Sequence, residues 1–324
     1  MSLTQRGPRP AAKFDGPTLL RLLQRYAVAA MILILMILLT AMSDSFLTAQ
    51  NLMNILNQNT PLAIMAAAMT LVIICGGFDL SVGAIFAVAS VVAASLAVNV
   101  NPYLGLIAAP LVGMALGFVN GVTITTLNIH SFLATLATGL VYRGIAILVT
   151  GGTLIAVRLD DFTWLGRGRI GAVYYAVIIL VVFAVLLTVL LNRSTLGRRI
   201  LAVGGNEEAA ILSGIRTDRV KIIAFTINGF AAGLAAAIAT SRVSLGQATA
   251  GAGMELEAIA AVIIGGTSIY GGQGAVWRSI AGVIMLALIN NGFNILNADP
   301  FYKDLTTGLI IVAAVAISAA GRKR

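Results

Sequence analysis

Asp79 stands alone in the chain. No Asp, Glu, Lys or Arg occurs in the 34 residues before it (45–78) or in the 63 after it (80–142). A carboxylate in so apolar a stretch is costly to bury, and such groups tend to serve a path, a relay or a counter-charge. Its surroundings read Gly76-Gly77-Phe78-Asp79-Leu80-Ser81-Val82-Gly83. Glycines let a helix break, and a broken helix exposes backbone groups and hydroxyls that can serve a polar ligand. A second break reads Gly265-Gly266-Thr267-Ser268-Ile269-Tyr270-Gly271-Gly272-Gln273-Gly274. The two align from Gly76 onto Gly265, each after an Ile/Val run, although the shared pattern is too short to prove a repeat. For both breaks the competing reading is a tight turn that packs the scaffold and touches no ligand.

Amides are the other polar groups in the apolar stretches: Asn120, Asn128, Asn228, Asn290, Asn291 and Asn294. Asn290 and Asn294 are four apart and share a helix face. Amides supply donors and acceptors without charge, which suits a neutral hydroxylated ligand; interhelical hydrogen bonding is the alternative use. Arg143 and Glu255 are charges expected near the outer half, as path groups or interface anchors. The candidates for lining a polar path are Asp79, Ser81, Asn120, Arg143, Asn228, Ser268, Asn290 and Asn294. Catalytic chemistry is not expected. None of the four lysines follows a glycine, so no phosphate-binding loop is present, and no nucleophile elbow or HExxH pattern occurs. One Cys75 excludes an intramolecular disulfide, and one His130 excludes a His-cluster metal site. No cofactor and no metal is expected.

The elements that must position these groups are membrane helices. The 324 residues are 59% apolar and only 10% charged. Soluble domains carry about 25% charged residues, and a mean hydropathy of +0.98 points the same way. Both charge-free runs exceed the roughly 20 residues that span a bilayer. The fold class expected is an all-α polytopic membrane bundle of about ten segments, within a range of eight to ten, with broken helices. The segments fall near 26–42, 60–75, 83–98, 103–124, 131–150, 172–191, 221–241, 255–265, 275–296 and 304–320. The eighth is too short to cross alone. The first is read as a retained span, preceded over 1–25 by a cytoplasmic segment in which Asp15-Gly16-Pro17 starts a helix lying on the membrane surface.

All but six of the 21 basic residues then fall on one side, the exceptions being Arg143, Arg158, Arg167, Arg169, Arg242 and Lys303. By the positive-inside rule that side is cytoplasmic, and both termini lie there. The net charge of +9 has this source, so nucleic acid is not an expected partner. The loop 151–171 is outside and of mixed charge, suited to a soluble partner or to a solvated connector. Gly113, Gly117 and Gly121, like Gly229 and Gly233, stand four apart and let helix backbones touch.

The largest polar segment is the inner loop, 192–220. Within it Asn206 caps a short helix with Glu207 and Glu208 in its first turn, and Gly214 follows its end. A compact exposed helix between two spans is built to dock into a groove of a cytoplasmic protein.

Glu208-Ala209-Ala210, three residues, then Gly214 resembles the EAA-x3-G loop by which bacterial ATP-binding-cassette importer permeases contact their ATPase. The later Ile-x-Leu-Pro part is absent, since Ala224-Phe225-Thr226-Ile227 stands there. A closer resemblance is to the sugar-importer permeases typified by the ribose permease. Their GG-[IF]-DLSVG motif resembles 76–83, their SF-[IL]-ATL stretch resembles 131–136 with Tyr142-Arg143-Gly144 following, their AIAAVxIGGTSxxGGxG resembles 258–274, and NNGxN resembles 290–294. The chain departs at His130, where Pro is usual, and at Arg278, where Gly is common. The resemblance implies one permease domain over 1–324 in the bacterial inner membrane. It implies two ATPase subunits docked at Asn206, Glu207, Glu208, Ala209, Ala210 and Gly214, and an extracytoplasmic sugar-binding protein. It also implies a second permease copy, identical or paralogous, with membrane lipid around the bundle. The substrate implied is ribose or a similar sugar. The alternatives are a branched-chain amino-acid permease of the same class and an ion-coupled secondary carrier with Asp79 as its essential carboxylate.

Overall fold

A computed structural model describes residues 16–297 and the isolated positions 299, 302, 305, 306, 308, 309 and 312. The described chain forms twelve helices. They are α1 (Gly16–Met42), α2 (Ala49–Ile74), α3 (Val82–Asn99), α4 (Pro102–Leu127), α5 (Ser131–Thr150), α6 (Asp160–Arg167), α7 (Tyr175–Arg193), α8 (Thr195–Gly205), α9 (Glu207–Leu212), α10 (Thr217–Val243), α11 (Met254–Ile264) and α12 (Val276–Ile295). The extended chain among the described residues is limited to two short pairings. β1 (Ile155–Ala156) joins β4 (Leu245–Gly246), and β2 (Arg169–Ile170) joins β3 (Val173–Tyr174), both antiparallel. Helices α2, α3, α4, α5, α7, α10 and α12 are each long and apolar enough to cross a membrane. The protein is thus an all-helical, multi-pass membrane bundle.

The expected count of ten is not reached among the described residues. The tenth segment, 304–320, and the residues before Gly16 lie outside them, isolated helical positions apart. Two boundaries differ from expectation. Helix α1 runs unbroken from Gly16 to Met42, so among the described residues no separate surface helix precedes the span. Helix α2 starts at Ala49, well before 60, because Thr48 caps it by accepting a bond from Asn51 N. Its first turns are rich in amides rather than hydrocarbon, so hydropathy does not register them. The eighth segment, α11, is indeed a half-helix of 11 residues.

Local chemistry sets the remaining ends. Asn101 caps α4 through Tyr103 N and Leu104 N, with Pro102 at the first position. His130 caps α5 by accepting a 3.3 Å bond from Phe132 N at Nδ1, so the departure from Pro there still starts a helix. Pro61 lies inside α2 and cannot donate to the carbonyl four residues back. That freed carbonyl, Asn57 O, is taken by Arg242 Nη1 of α10 at 2.7 Å.

Helix α2 is the core of the bundle, buried without interruption from Thr60 to Cys75. Helix α10 packs along it, and α4 lies antiparallel against α10. A Cβ placed at Gly113 would meet the backbone of Gly229 and Gly233, one at Gly117 that of Phe225 and Gly229, and one at Gly121 that of Ile222. The two glycine ladders seen in the sequence are thus each other's partners. Burial of apolar area gives little drive between helices in lipid, and this contact between backbones replaces it.

Candidate functional site

The first break carries the bundle's densest polar knot. After Ile74 the chain leaves the helix through Gly76, at φ +85°, and α3 begins at Val82. Between them Asp79 is fully buried. Its Oδ1 accepts from Ser81 N (3.0 Å) and Ser81 Oγ (2.6 Å), and its Oδ2 accepts from Asn228 Nδ2 of α10 (2.9 Å). All three donors are neutral. Ser81 Oγ accepts in turn from Asn120 Nδ2 of α4 at 2.6 Å, and Tyr142 OH of α5 donates to Asn120 Oδ1 at 3.0 Å. Ser131 Oγ and Thr135 Oγ1, in the first turn of α5 and the next, accept from Phe78 N and Leu80 N at 3.0 Å. The break is therefore sewn to α4, α5 and α10 by groups that satisfy its open backbone, as non-helical chain in a membrane requires. Asn228 Oδ1 alone in this knot is buried without a partner.

Of the eight path candidates, Asp79, Ser81, Asn120 and Asn228 thus come together. Tyr142, Ser131 and Thr135 complete the group; they stand in the 131–142 stretch of the sequence but carry no charge or amide to single them out. The other four lie apart. Arg143 donates from Nη1 to Ala248 O (2.7 Å) and Ala250 O (2.8 Å). Ser268 accepts from Tyr270 N within the second break. Asn290 and Asn294 sit late in α12, Asn294 exposed and Asn290 with its Oδ1 buried and unpartnered. Their neighbour Asn291 exchanges two amide bonds with Asn51 of α2, at 3.1 and 3.2 Å.

The second break has a packing role that is visible directly. Gly272 N donates to Ile74 O at 2.8 Å, capping α2, and Gly271 and Gly272 adopt φ of +85° and +74°. Gly204, at the end of α8, fits against the same Ile74 carbonyl, and a Cβ at Gly204 would also lie 2.7 Å from Gly272 N. Both breaks and α8 thus meet at the end of α2. Just beyond that end Cys75 is a free, buried thiol.

From that junction the chain passes into α9. Asn206 Oδ1 caps it through Ala209 N at 2.9 Å, and Gly214 follows at φ +79°. Glu207 pairs with Lys221 of α10 at 2.5 Å. Ala210 faces inward, while Glu208, Ala209, Ile211 and Leu212 are exposed, Leu212 at 89%. Ahead of it α8 was not anticipated. It buries Gly197, Ile200 and Val203 at three-residue spacing and anchors α9 to the bundle.

At the opposite end the loop 151–171 is more than a bare connector. Its helix α6 is locked to α10, with Ser241 Oγ accepting from Gly166 N (2.9 Å) and donating to Phe162 O (2.6 Å). A polar cavity of about 380 Å³ opens there, lined by Asn54, Asn57, Gln58, Arg167, Arg169, Tyr174 and Arg242. The expected second span starts near 60, so hydropathy leaves the residues from α2 that line this cavity outside any helix. The amides at 50, 51, 54, 57 and 58 recur at helical spacing, and that was the available signal.

The family model described as a branched-chain amino acid transport system / permease component matches residues 51–315. The ribose import permease protein RbsC of Escherichia coli (strain K12) is 39% identical, over 88% of this chain and 91% of that protein. The D-allose transport system permease protein AlsC of the same strain is 36% identical, over 85% of each. The L-arabinose transport system permease protein AraH of that strain is 33% identical, over 91% of this chain and 90% of its own. No solved structure matches the chain.

Proposed function

The chain belongs to the transport-system permease family that contains the ribose import permeases, and on that premise we propose that it is the membrane subunit of an ATP-binding-cassette importer for a monosaccharide, ribose or a close analogue. The similarity to sugar permeases along nearly the whole chain carries this reading. The polar knot agrees with it. Its members are amides, hydroxyls and one carboxylate with neutral donors, groups that suit a bundle carrying an uncharged solute.

In this reading all of 1–324 is one permease domain with both termini cytoplasmic, and the α9 end faces the cytoplasm. Two ATPase subunits dock on the α9 helices of two permease copies, identical or paralogous, and hydrolysis belongs to those subunits. A soluble sugar-binding protein meets the α6 end. The exposed apolar faces of α5 and α7 meet lipid. Motion of α9 has a direct route inward. It is tied to α10 by Glu207–Lys221 and to α8 through Asn206, and α8 abuts the end of α2 and the second break at Gly204. Closure of the ATPase pair would move that junction and alternate access to the path.

Replacing Glu208 by Ala, or Gly214 by Val, is expected to abolish ATP-driven uptake while leaving a folded, membrane-inserted permease. Normal uptake in both variants would remove α9 from the coupling role.

A further inference from the structure

The chain leaves α10 at Val243, turns at Ser244 (φ +58°) and re-enters the bundle without forming a helix. Gly246 packs against Ser90 and Ala94 of α3, and Gly251 packs against Gly83 and Phe86 of the same helix. At 1.5 Å per residue of α3, that is a descent of roughly 10 Å. Only then does α11 begin, at Met254. The depth is fixed from the other side as well. Ser81, two residues before Gly83, bonds Asn120, which lies seven residues, about 10 Å, from the end of α4 at Leu127. Residues 248–253 are a run of turns near the middle of the bundle's thickness, and Thr249, Ala252 and Gly253 are exposed.

Non-helical backbone at that depth cannot face lipid. It is tolerated where protein buries it or where it lines a water-filled cavity. Two of its carbonyls, Ala248 O and Ala250 O, are held by Arg143 from the middle of α5. Glu255 answers from the first turn of α11. Its Oε1 accepts from Gly253 N at 3.3 Å, its Oε2 is buried over Gly83 without a partner, and Arg143 attracts it. Turn bonds hold further carbonyls, with Ala252 N donating to Thr249 O and Met254 N to Gly251 O, while Thr249, Ala252 and Gly253 stay on the exposed side.

We propose that residues 249–253 line a water-filled path at mid-membrane, and that Arg143, with Glu255, is the positioning residue that holds this re-entrant segment in place. The solute of that path, a neutral polyol, rests on the function proposed above; its wetness does not.

The test uses Thr249→Cys and Ala252→Cys in the otherwise unchanged, assembled permease, whose one native thiol, Cys75, is buried. The probe is a permanently charged, membrane-impermeant methanethiosulfonate. Leu140→Cys, on an exposed face of α5, serves as the lipid-facing control. A permanently charged probe is strongly disfavoured in hydrocarbon, so both test positions should react more than roughly tenfold faster than the control. Reaction at both positions as slow as at Leu140→Cys would show lipid or a second copy sealing the segment, and would overturn the proposal. Adding Arg143→Ala to Ala252→Cys should change the labelling rate several-fold, with Arg143→Lys closer to the parent. An unchanged rate in the Ala variant would remove Arg143 from the positioning role. Labelling without any sugar uptake would refute the function proposed above and leave this segment's assignment standing.

Discussion

Asp79 shows what residue-level reading can and cannot reach. Its isolation between two uncharged stretches marked it at once, as the amides marked Asn120 and Asn228. What the sequence did not disclose is that these groups bond one another and that Tyr142, Ser131 and Thr135 close the set. Pairing across the bundle depends on how four segments are folded together, and no spacing within one segment encodes it. The carboxylate holds three donors that would otherwise be open in a dry interior. Asp79→Ala should therefore lower the unfolding free energy in detergent by about 1–3 kcal/mol. Asp79→Asn should cost less, because Asn228 can turn its unpartnered Oδ1 toward the new amide nitrogen. Thermal denaturation of purified protein measures both, and a transition temperature unchanged in both variants would deny the knot its structural role. Cys75 gives the complementary expectation: a neutral maleimide at pH 7–8 should leave the folded permease unmodified and label it only after denaturation.

At the scale of elements the sequence was most informative where capping and small-residue spacing apply. Asn206, the two glutamates and Gly214 delimited α9 closely, and the four-residue glycine spacings foretold a backbone contact, though not that α4 and α10 are the partners. Hydropathy failed where a helix is polar or partial. The amide-rich start of α2 was invisible to it, and α8 hides its amphipathic pattern inside a charged loop. The α4–α10 contact yields the sharpest expectation. Gly117→Leu or Gly229→Leu places a side chain where opposing backbone already stands and should abolish the monodisperse gel-filtration peak. Gly144→Ala, which has open space around it, should leave that peak intact. Arg242→Ala, which strands the carbonyl that Pro61 frees, should cost about 1–3 kcal/mol, read as a lower midpoint of thermal aggregation.

For the whole molecule, the scarcity of charge takes on a definite meaning. Most Lys and Arg sit at loops and ends, Glu207 and Glu208 open α9, and Asp79, Arg143 and Glu255 each hold non-helical chain inside the bundle. That distribution suits a path for an uncharged solute driven by another subunit. It suits less well a carrier coupled to an ion, which would need a carboxylate free to bind and release its cation, whereas Asp79 is engaged by three protein donors. The most direct measurement is uptake of radiolabelled D-ribose, L-arabinose and D-allose, with L-leucine in parallel, into proteoliposomes holding the permease with its ATPase and binding protein. Accumulation of at least one of the sugars, and not of leucine, that requires ATP and persists when proton and sodium gradients are collapsed is the predicted result. Uptake without ATP that vanishes with the gradients, or ATP-driven uptake of leucine alone, would contradict the account.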